Sequence, residues 1–363
     1  MLEQFQVPSD IEVRVSIDDM RECVEAIFKA LGMPAEHAHQ SADVLLYADT
    51  RGIESHGVSN MLRIYVQRIR EGIINLQPQW KITREHRAGC SIDSDSAHGG
   101  VIGPEAMREA ISRAQEYGVG AVSVYNGGHF GAAAYHAEMA LEHDMIGVSM
   151  TAGGVAMAPT FGSEKLLGLN PLAVAVPSDK EVPFVFDASM SSVAGNKIRL
   201  AQRLGRDTLP GWIASGDGTP IMEEQSIPED FIILPVGGTR EIGSHKGFGL
   251  AIMVEVLTSM LSGGAAGPDR RAGQAHHFIA YRIDAFMDPH DFKRDCDTYL
   301  QRLRESTPAP GEERVYYPGL FAHEEAKTRT EKGIPYHPEV ITWFKQILKE
   351  LGLSDPFPEV TVP

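Results

Sequence analysis

Apolar positions in the first seventy residues recur at helical spacing. Ile17 to Leu31 carries an apolar face that stops at Gly32, and Ser16 followed by Asp19 has the form of a capping box. Pro34 opens a second helical stretch through Val44, Leu45 and Ala48. Val58 to Arg70 predicts a third helix, with Met61, Leu62, Tyr65 and Ile69 on one face and Gly72 beyond its end. The period then changes. Pro104 to Tyr117 reads as a helix, Ala121 to Tyr125 as a strand, Ala132 to His143 as a helix and Ile146 to Thr151 as another strand. Further β-like runs fall at Leu172 to Val176, Pro183 to Phe186, Phe231 to Val236 and His277 to Ile283. Gly249 to Leu261 is apolar nearly all round, which predicts a buried helix. Asp288 to Arg304 reads as a surface helix, and Ser306 to Tyr336 as an irregular Pro-, Glu- and Lys-rich excursion. Pro338 to Gly352 closes the pattern as an amphipathic helix, with Val340, Trp343, Phe344, Ile347 and Leu348 as its apolar face. Helices at both ends with alternating strands and helices between them predict an α/β fold.

Composition narrows the partners. The 363 residues carry 33 basic against 49 acidic side chains, a formal charge of -16, which argues against nucleic acid or an anionic membrane. A local pocket for one small anion is compatible with that balance. Cys23, Cys90 and Cys296 are widely spaced, so neither a disulfide framework nor a zinc ribbon is implied and a reducing cytoplasm is expected. Met1 to Asp10 has neither the basic start nor the apolar stretch of a signal peptide. Gly249 to Leu261 contains Glu255 and is too short to span a bilayer.

Glycine carries the candidate chemistry. No G-x-G-x-x-G follows a predicted strand and no G-x-x-x-x-G-K-[ST] is present, which excludes a standard Rossmann domain and a P-loop. Three glycine-rich loops nevertheless hold functional side chains. They are Gly127 to Gly131 with His129, Asp187-Ala188-Ser189 leading to Gly195-Asn196-Lys197, and Gly243 to Gly247 with His245 and Lys246. Each alone is compatible with a turn, while the three together suggest a cofactor pocket. Among fourteen histidines, His37, His39, His136 and His143 fall on predicted amphipathic helices as solvated or capping residues. His276 and His277 would point to opposite faces of a strand, and no cluster has metal-ligand spacing, so no metal is expected. His56 and His129 sit in small-residue loops at the ends of regular elements. Such positions suit proton transfer, and equally a loop hydrogen bond.

Five motifs occur in order: Arg51-Gly52-Ile53-Glu54-Ser55-His56-Gly57, Asn126-Gly127-Gly128-His129-Phe130-Gly131, Gly168-Leu169-Asn170-Pro171, Asp187-Ala188-Ser189 and Ser244-His245-Lys246-Gly247-Phe248-Gly249. Together they resemble the type-2 malate/L-lactate dehydrogenase family, which includes ureidoglycolate, sulfolactate and diketogulonate oxidoreductases and a piperideine-carboxylate reductase. The resemblance runs from about Ser16 to Gly352. It implies a non-Rossmann, mixed-sheet domain over residues 81–284 that binds NAD or NADP. It also implies a helical domain built from residues 1–80 with 285–363, and a homodimer acting on a small-molecule substrate. By the same resemblance His56 is the general acid and His129 lies beside nicotinamide and substrate, holding the acid–base role in some relatives. Ser55 falls at the substrate. Thr151, Asn170, Pro183, Phe184, Val185, Phe186, Asp187, Ala188, Ser189, Lys197, His245, Lys246 and Gly319 fall at the cofactor.

Two departures concern the substrate. Relatives often carry arginine four residues after the first histidine, gripping a carboxylate, and Asn60 stands there. Arg51, Arg63 or another cation then takes that role, or the substrate differs. Thr151-Ala152-Gly153 also replaces a frequent Thr-Asn. The expected activity is hydride transfer between a 2-oxo acid, or a related carbonyl, and its 2-hydroxy acid. A reductase of cyclic imino acids or a former of N-alkyl amino acids is an alternative, and a non-catalytic dimeric binding protein is another. A hydrolase using Ser55 and His56 is disfavoured, because adjacent loop residues rarely form a nucleophile–base pair and no G-x-S-x-G is present. The sequence leaves open NAD against NADP, the direction and the substrate.

Overall fold

The structure is a computed structural model that describes residues 7–203 and 205–359. The first six residues of the segment expected to lack a leader lie outside the described residues. The chain begins with β1 (Val13–Val15), α1 (Ile17–Ala30), α2 (Ala35–Thr50) and α3 (Val58–Arg70). The Ser16 hydroxyl accepts the Asp19 N–H at 3.0 Å and so caps α1 as its sequence predicts. There follow β2 (Lys81–His86), β3 (Gly89–Asp93), α4 (Gly99–Tyr117), β4 (Val119–Gly127), α5 (Ala133–Glu138) and β5 (Met145–Ala152). Next come β6 (Leu172–Val176), β7 (Phe184–Ala188), α6 (Gly195–Arg203), β8 (Ile213–Ser215) and β9 (Phe231–Ile233). α7 (Ser244–Glu255) then runs into a π-helical turn at Val256–Met260. The chain continues through β10 (Gln274–Arg282), α8 (Pro289–Arg304), α9 (Leu320–Lys332), β11 (Ile334–Tyr336) and α10 (Pro338–Leu351).

Seven strands form one mixed sheet in the order β2-β3-β4-β10-β5-β6-β7, in which β3 and β4 run parallel and the other neighbours antiparallel. No Rossmann connectivity is present in this order. α4 and α5 cover one face over Val122, Val124, Phe278, Ala280 and Ala173, all buried. α7 covers part of the other face through Ala251 and Val254 against Met150, Met157 and Met190. A separate core joins the chain ends: Met20, Ile27 and Phe28 of α1 and Leu45 of α2 pack with Phe344 and Leu348 of α10. β1 pairs antiparallel with β11 beside that core.

Several expectations change. The stretch ending at Leu261 is not buried all round. Leu250, Met253, Met260 and Leu261 are exposed, while Ala251, Val254 and Glu255 face inward. An apolar circumference fixes which surface wants cover, and one chain covers only the sheet side. The inward Glu255 is paired with Arg270 and accepts from Asn170 Nδ2 and the Gly267 N–H, both at 2.9 Å. The excursion from Ser306 to Tyr336 contains α9 and β11. α9 lacks an apolar stripe, and β11 exists through its pairing with β1. The helix expected over Ala132 to His143 stops at Glu138 and resumes as a 3₁₀ turn at Leu141–His143. β1, β2, β3 and β8 were not anticipated. β2 (Lys-Ile-Thr-Arg-Glu-His) is exposed throughout, so it has no buried alternation to betray it. His136 is fully buried, not solvated.

Candidate active site

A cleft of about 1380 Å³ opens between the α2–α3 loop, the β7 edge, α6 and the turn before α9. Its first histidine comes from the α2–α3 loop. α3 begins at Gly57, which offers no capping side chain. Asp49, at the end of α2, supplies the missing acceptor: its Oδ2 takes the Val58 N–H and the Tyr336 hydroxyl, each at 2.9 Å. Burial pushes this carboxyl up to about 7, against both hydrogen bonds, which favour the carboxylate. A Cβ on Gly57 would fall 1.8 Å from Asp49 Oδ1, so space, not backbone conformation, demands glycine there. Asn60 Nδ2 donates to the Glu54 carbonyl at 2.6 Å, and Arg329 Nη2 pairs with Glu54 Oε1 at 2.8 Å. Between these fastenings stands His56, with Nδ1 2.9 Å from Ser55 Oγ. Burial, and then the Lys197 cation, push it down to about 4, so the ring is neutral at physiological pH.

The second histidine comes from the β4–α5 loop. Gly131 N–H donates to His129 Nδ1 at 3.2 Å, so that nitrogen carries no proton, and the Tyr65 hydroxyl donates to it at 2.8 Å. The neutral ring therefore bears its proton on Nε2. Burial, then His56, then Arg68 hold His129 well below the ordinary histidine range. The His56 and His129 rings stack at 5.6 Å with planes 19° apart. Two further imidazoles hold this loop from behind. His276 Nε2 donates to the Gly128 carbonyl at 3.1 Å, and His136 Nε2 to the Phe130 carbonyl at 2.8 Å. The Phe130 ring is stacked between them, 4.8 Å from His276 and 4.6 Å from His136. Burial pushes His276 down to about 3 and His136 to about 4, which keeps both neutral.

Most of the expected cofactor positions share this cleft. Thr151 and Asn170 lie on its floor, Pro183, Val185 and Phe186 along the β7 edge, and Asp187, Ala188 and Ser189 at the strand's end. Thr151 Oγ1 meets His276 Nδ1 at 2.8 Å. Asp187 Oδ2 accepts the Ala134 N–H at 2.8 Å at the start of α5, and burial pushes its carboxyl up to about 6. Gly319 has φ +100°, and a Cβ there would meet the Val185 N at 2.8 Å and the Pro183 carbonyl at 2.9 Å. The turn thus lies flat on the β7 edge, and Val185 N–H donates to the Pro318 carbonyl at 3.1 Å. Lys197 and Arg51 also line the cleft. Burial lowers Lys197, and Arg51 is paired with Glu138 at 3.2 Å.

Five expected residues are not among the cleft lining. Asn60 turns to the Glu54 carbonyl, as described. Arg63 pairs with Glu339 at 2.6 Å and lies over the Trp343 ring. Phe184 packs beside Leu300 and Tyr317, and His245 and Lys246 are exposed on the first turn of α7. Conversely, Tyr65, Arg68, Asp49, His136 and His276 were not singled out as site residues. Tyr65 belongs to the buried apolar face of α3, and nothing in its spacing marks the hydroxyl that reaches His129.

A cleft of this volume exceeds what one drug-sized ligand fills and has room for a dinucleotide and a small substrate. The close-lying Gly319 turn, the open β7 edge and the lining cations fit an extended, anionic cofactor. No cluster of three or more metal-ligating side chains occurs among the described residues.

The mixed sheet lacks Rossmann connectivity, and the cleft brings two histidines together beside its wall. The family model for malate/L-lactate dehydrogenase matches residues 15–345, and the chain belongs to that family. It is 36% identical over 349 residues to a malate dehydrogenase of Pyrococcus abyssi, covering 94% of this chain and 96% of that one. It is equally 36% identical over 335 residues to an L-sulfolactate dehydrogenase of Methanocaldococcus jannaschii, covering 90% and 94%. The structure of a malate dehydrogenase from Pyrococcus horikoshii OT3 superposes with a TM-score of 0.88 at 33% identity, covering 96% of this chain and 98% of that one. That of an Entamoeba histolytica malate dehydrogenase superposes with 0.90 at 30% identity, covering 95% and 100%. The protein is thus an enzyme of the malate/lactate dehydrogenase type acting on CH–OH groups, and its family implies a nicotinamide cofactor.

Proposed function

We propose that this enzyme interconverts a 2-hydroxy acid and its 2-oxo acid with NAD or NADP, using the paired imidazoles of His56 and His129. The carrying observation is their unequal wiring. His129 Nδ1 already receives two donors, whereas His56 Nδ1 faces only a hydroxyl, which can donate or accept. The nicotinamide, when bound, takes or supplies the hydride. The protein handles the proton. In the oxidative direction neutral His56 accepts the substrate's hydroxyl proton, and Ser55 Oγ then accepts from Nδ1–H of the charged ring. His129 stays neutral and directs Nε2–H at the oxygen on which negative charge develops. In the reductive direction the same proton returns from His56. Pro183, Val185 to Ser189, Asn170, Thr151 and Gly319 form the wall assigned to the cofactor.

The exposed apolar side chains of α7 support a homodimer, since a patch of this kind marks a contact surface. The free thiols of Cys23, Cys90 and Cys296 fit a cytoplasmic location. No helix among the described residues is long and apolar enough to cross a membrane. The test is a thermal-shift series with NAD, NADH, NADP and NADPH, followed by reduction of a panel of 2-oxo acids read at the reduced-nicotinamide absorbance. At least one cofactor is expected to raise the melting temperature by several degrees. No shift at millimolar concentration of any of the four overturns the proposal.

A further inference from the structure

Asn60 is spent on the protein itself: its amide holds the Glu54 carbonyl. α3 turns a different stripe to the cleft, namely Met61, Ile64 and Arg68, spaced by three and four residues. Tyr65, on the same side of the helix, meets His129 through its hydroxyl. Arg68 therefore stands one turn beyond the residue that orients His129.

Two of the other cleft cations, Arg51 and Arg199, have partners, and Lys197 differs from Arg68 by its place in the cleft. Arg51 is paired with Glu138 and lies over the Tyr47 ring at 3.7 Å. Arg199 Nη1 donates to Asn196 Oδ1 at 3.3 Å. Lys197 belongs to α6, on the His56 side, where Asn196 Nδ2 donates to the Ser55 carbonyl at 2.5 Å. Arg68 differs: among the described residues its guanidinium has no hydrogen bond or ion pair, yet it lines the cleft within electrostatic reach of His129, His98 and Tyr65. A guanidinium without an acceptor, beside apolar Met61 and Ile64, is a site awaiting a planar anion.

From this, and resting on the redox reading above, we infer that Arg68 binds the substrate carboxylate next to the reacting carbon and so sets the preference for 2-hydroxy and 2-oxo acids over neutral ketones. The fork of the guanidinium fixes the acid with its carbon–oxygen bond toward the two imidazoles.

The test compares wild type with Arg68→Gln and Arg68→Lys on pyruvate, oxaloacetate and the uncharged ester methyl pyruvate. Arg68→Gln is expected to raise KM for the two acids about 100-fold, the scale of losing a charge-assisted bidentate partner. Methyl pyruvate and the dissociation constant of the reduced nicotinamide should change less than about threefold. Arg68→Lys, keeping the charge without the fork, should recover about tenfold of the loss. Oxalate titrated calorimetrically into the protein without nicotinamide gives a second readout, and Arg68→Gln should weaken it at least about tenfold. Equal losses for acid and ester, a parallel loss of nicotinamide affinity, or unchanged acid KM overturns the assignment. Should no 2-oxo acid be reduced while oxalate still binds wild type and not Arg68→Gln, the redox reading falls and the anion site stands. If neither protein binds oxalate, the anion site falls.

Discussion

The two histidine-bearing loops meet in one cleft but are fastened by opposite means. The His56 loop is held by carboxyl groups: the buried Asp49 caps the next helix, and the Arg329–Glu54 pair clamps the loop's middle. The His129 loop is held by neutral imidazoles, two of which grip carbonyls on either side of it while sandwiching Phe130. The contrast reaches the rings themselves. His56 faces a hydroxyl able to turn, so it can gain or lose a proton without breaking a fixed bond. His129 accepts a backbone N–H, so protonating its Nδ1 would break that bond. In the proposed reaction one ring exchanges protons and the other is fixed as a donor.

The largest break in that comparison comes from the chemistry. His56→Ala should lower kcat for hydroxy-acid oxidation about 1000-fold, within the range for a lost general base, whereas Tyr65→Phe should cost only a few-fold because the Gly131 N–H still fixes the His129 tautomer. Steady-state rates of the two variants decide it, and equal losses would erase the distinction between the rings. Acid should act next. His56, His98, His129, His136, His276 and His277 are all pushed below the ordinary value of 6.5, with burial the leading cause. Their folded values lie below their unfolded ones, so the unfolded chain binds more protons between about pH 4 and 6.5 and stability falls as pH drops through that window. Each such proton is worth about 1.4 kcal/mol per pH unit. Asp187 and Asp49, raised to about 6 and about 7, and Glu54, also raised by burial, act in the opposite sense, gaining stability as pH falls, but they are three against six. Urea midpoints at pH 7, 6 and 5 should therefore decline, and a flat series would contradict the neutral-imidazole account. The smallest effect concerns the clamp. His276→Leu leaves the Gly128 carbonyl without its donor and should cost about 1–3 kcal/mol of stability. kcat should fall further than nicotinamide affinity, and His276→Gln, which keeps a donor, should recover most of both. Recovery by Leu as complete as by Gln would reduce the clamp to packing.

Much of this arrangement is legible in the sequence because it is local. Ser16 predicts the α1 cap, and the period of α3 and the glycine at its start follow from neighbouring residues. The five motifs fix the family and both cleft histidines. What escaped is long-range. β11 is a strand through β1, more than three hundred residues earlier in the chain. His136 reads from the sequence as a polar position on an amphipathic helix, and only the fold brings it, fully buried, against Phe130. Arg68 reads as one more surface cation on an amphipathic helix until the opposite wall of the cleft is in place. The outer face of α7 was misjudged because apolarity says which surface needs cover, not which chain covers it.

The overlap between Gly57 and Asp49 gives the Ser-His-Gly motif a meaning beyond the proposed proton transfer. Its third residue records the path of a carboxyl group from the preceding helix, so positions 49 and 57 are sterically coupled. In a library selected for activity, side chains larger than hydrogen at position 57 would survive only beside a shortened residue at position 49. The glycine of the motif is partly a packing footprint of Asp49.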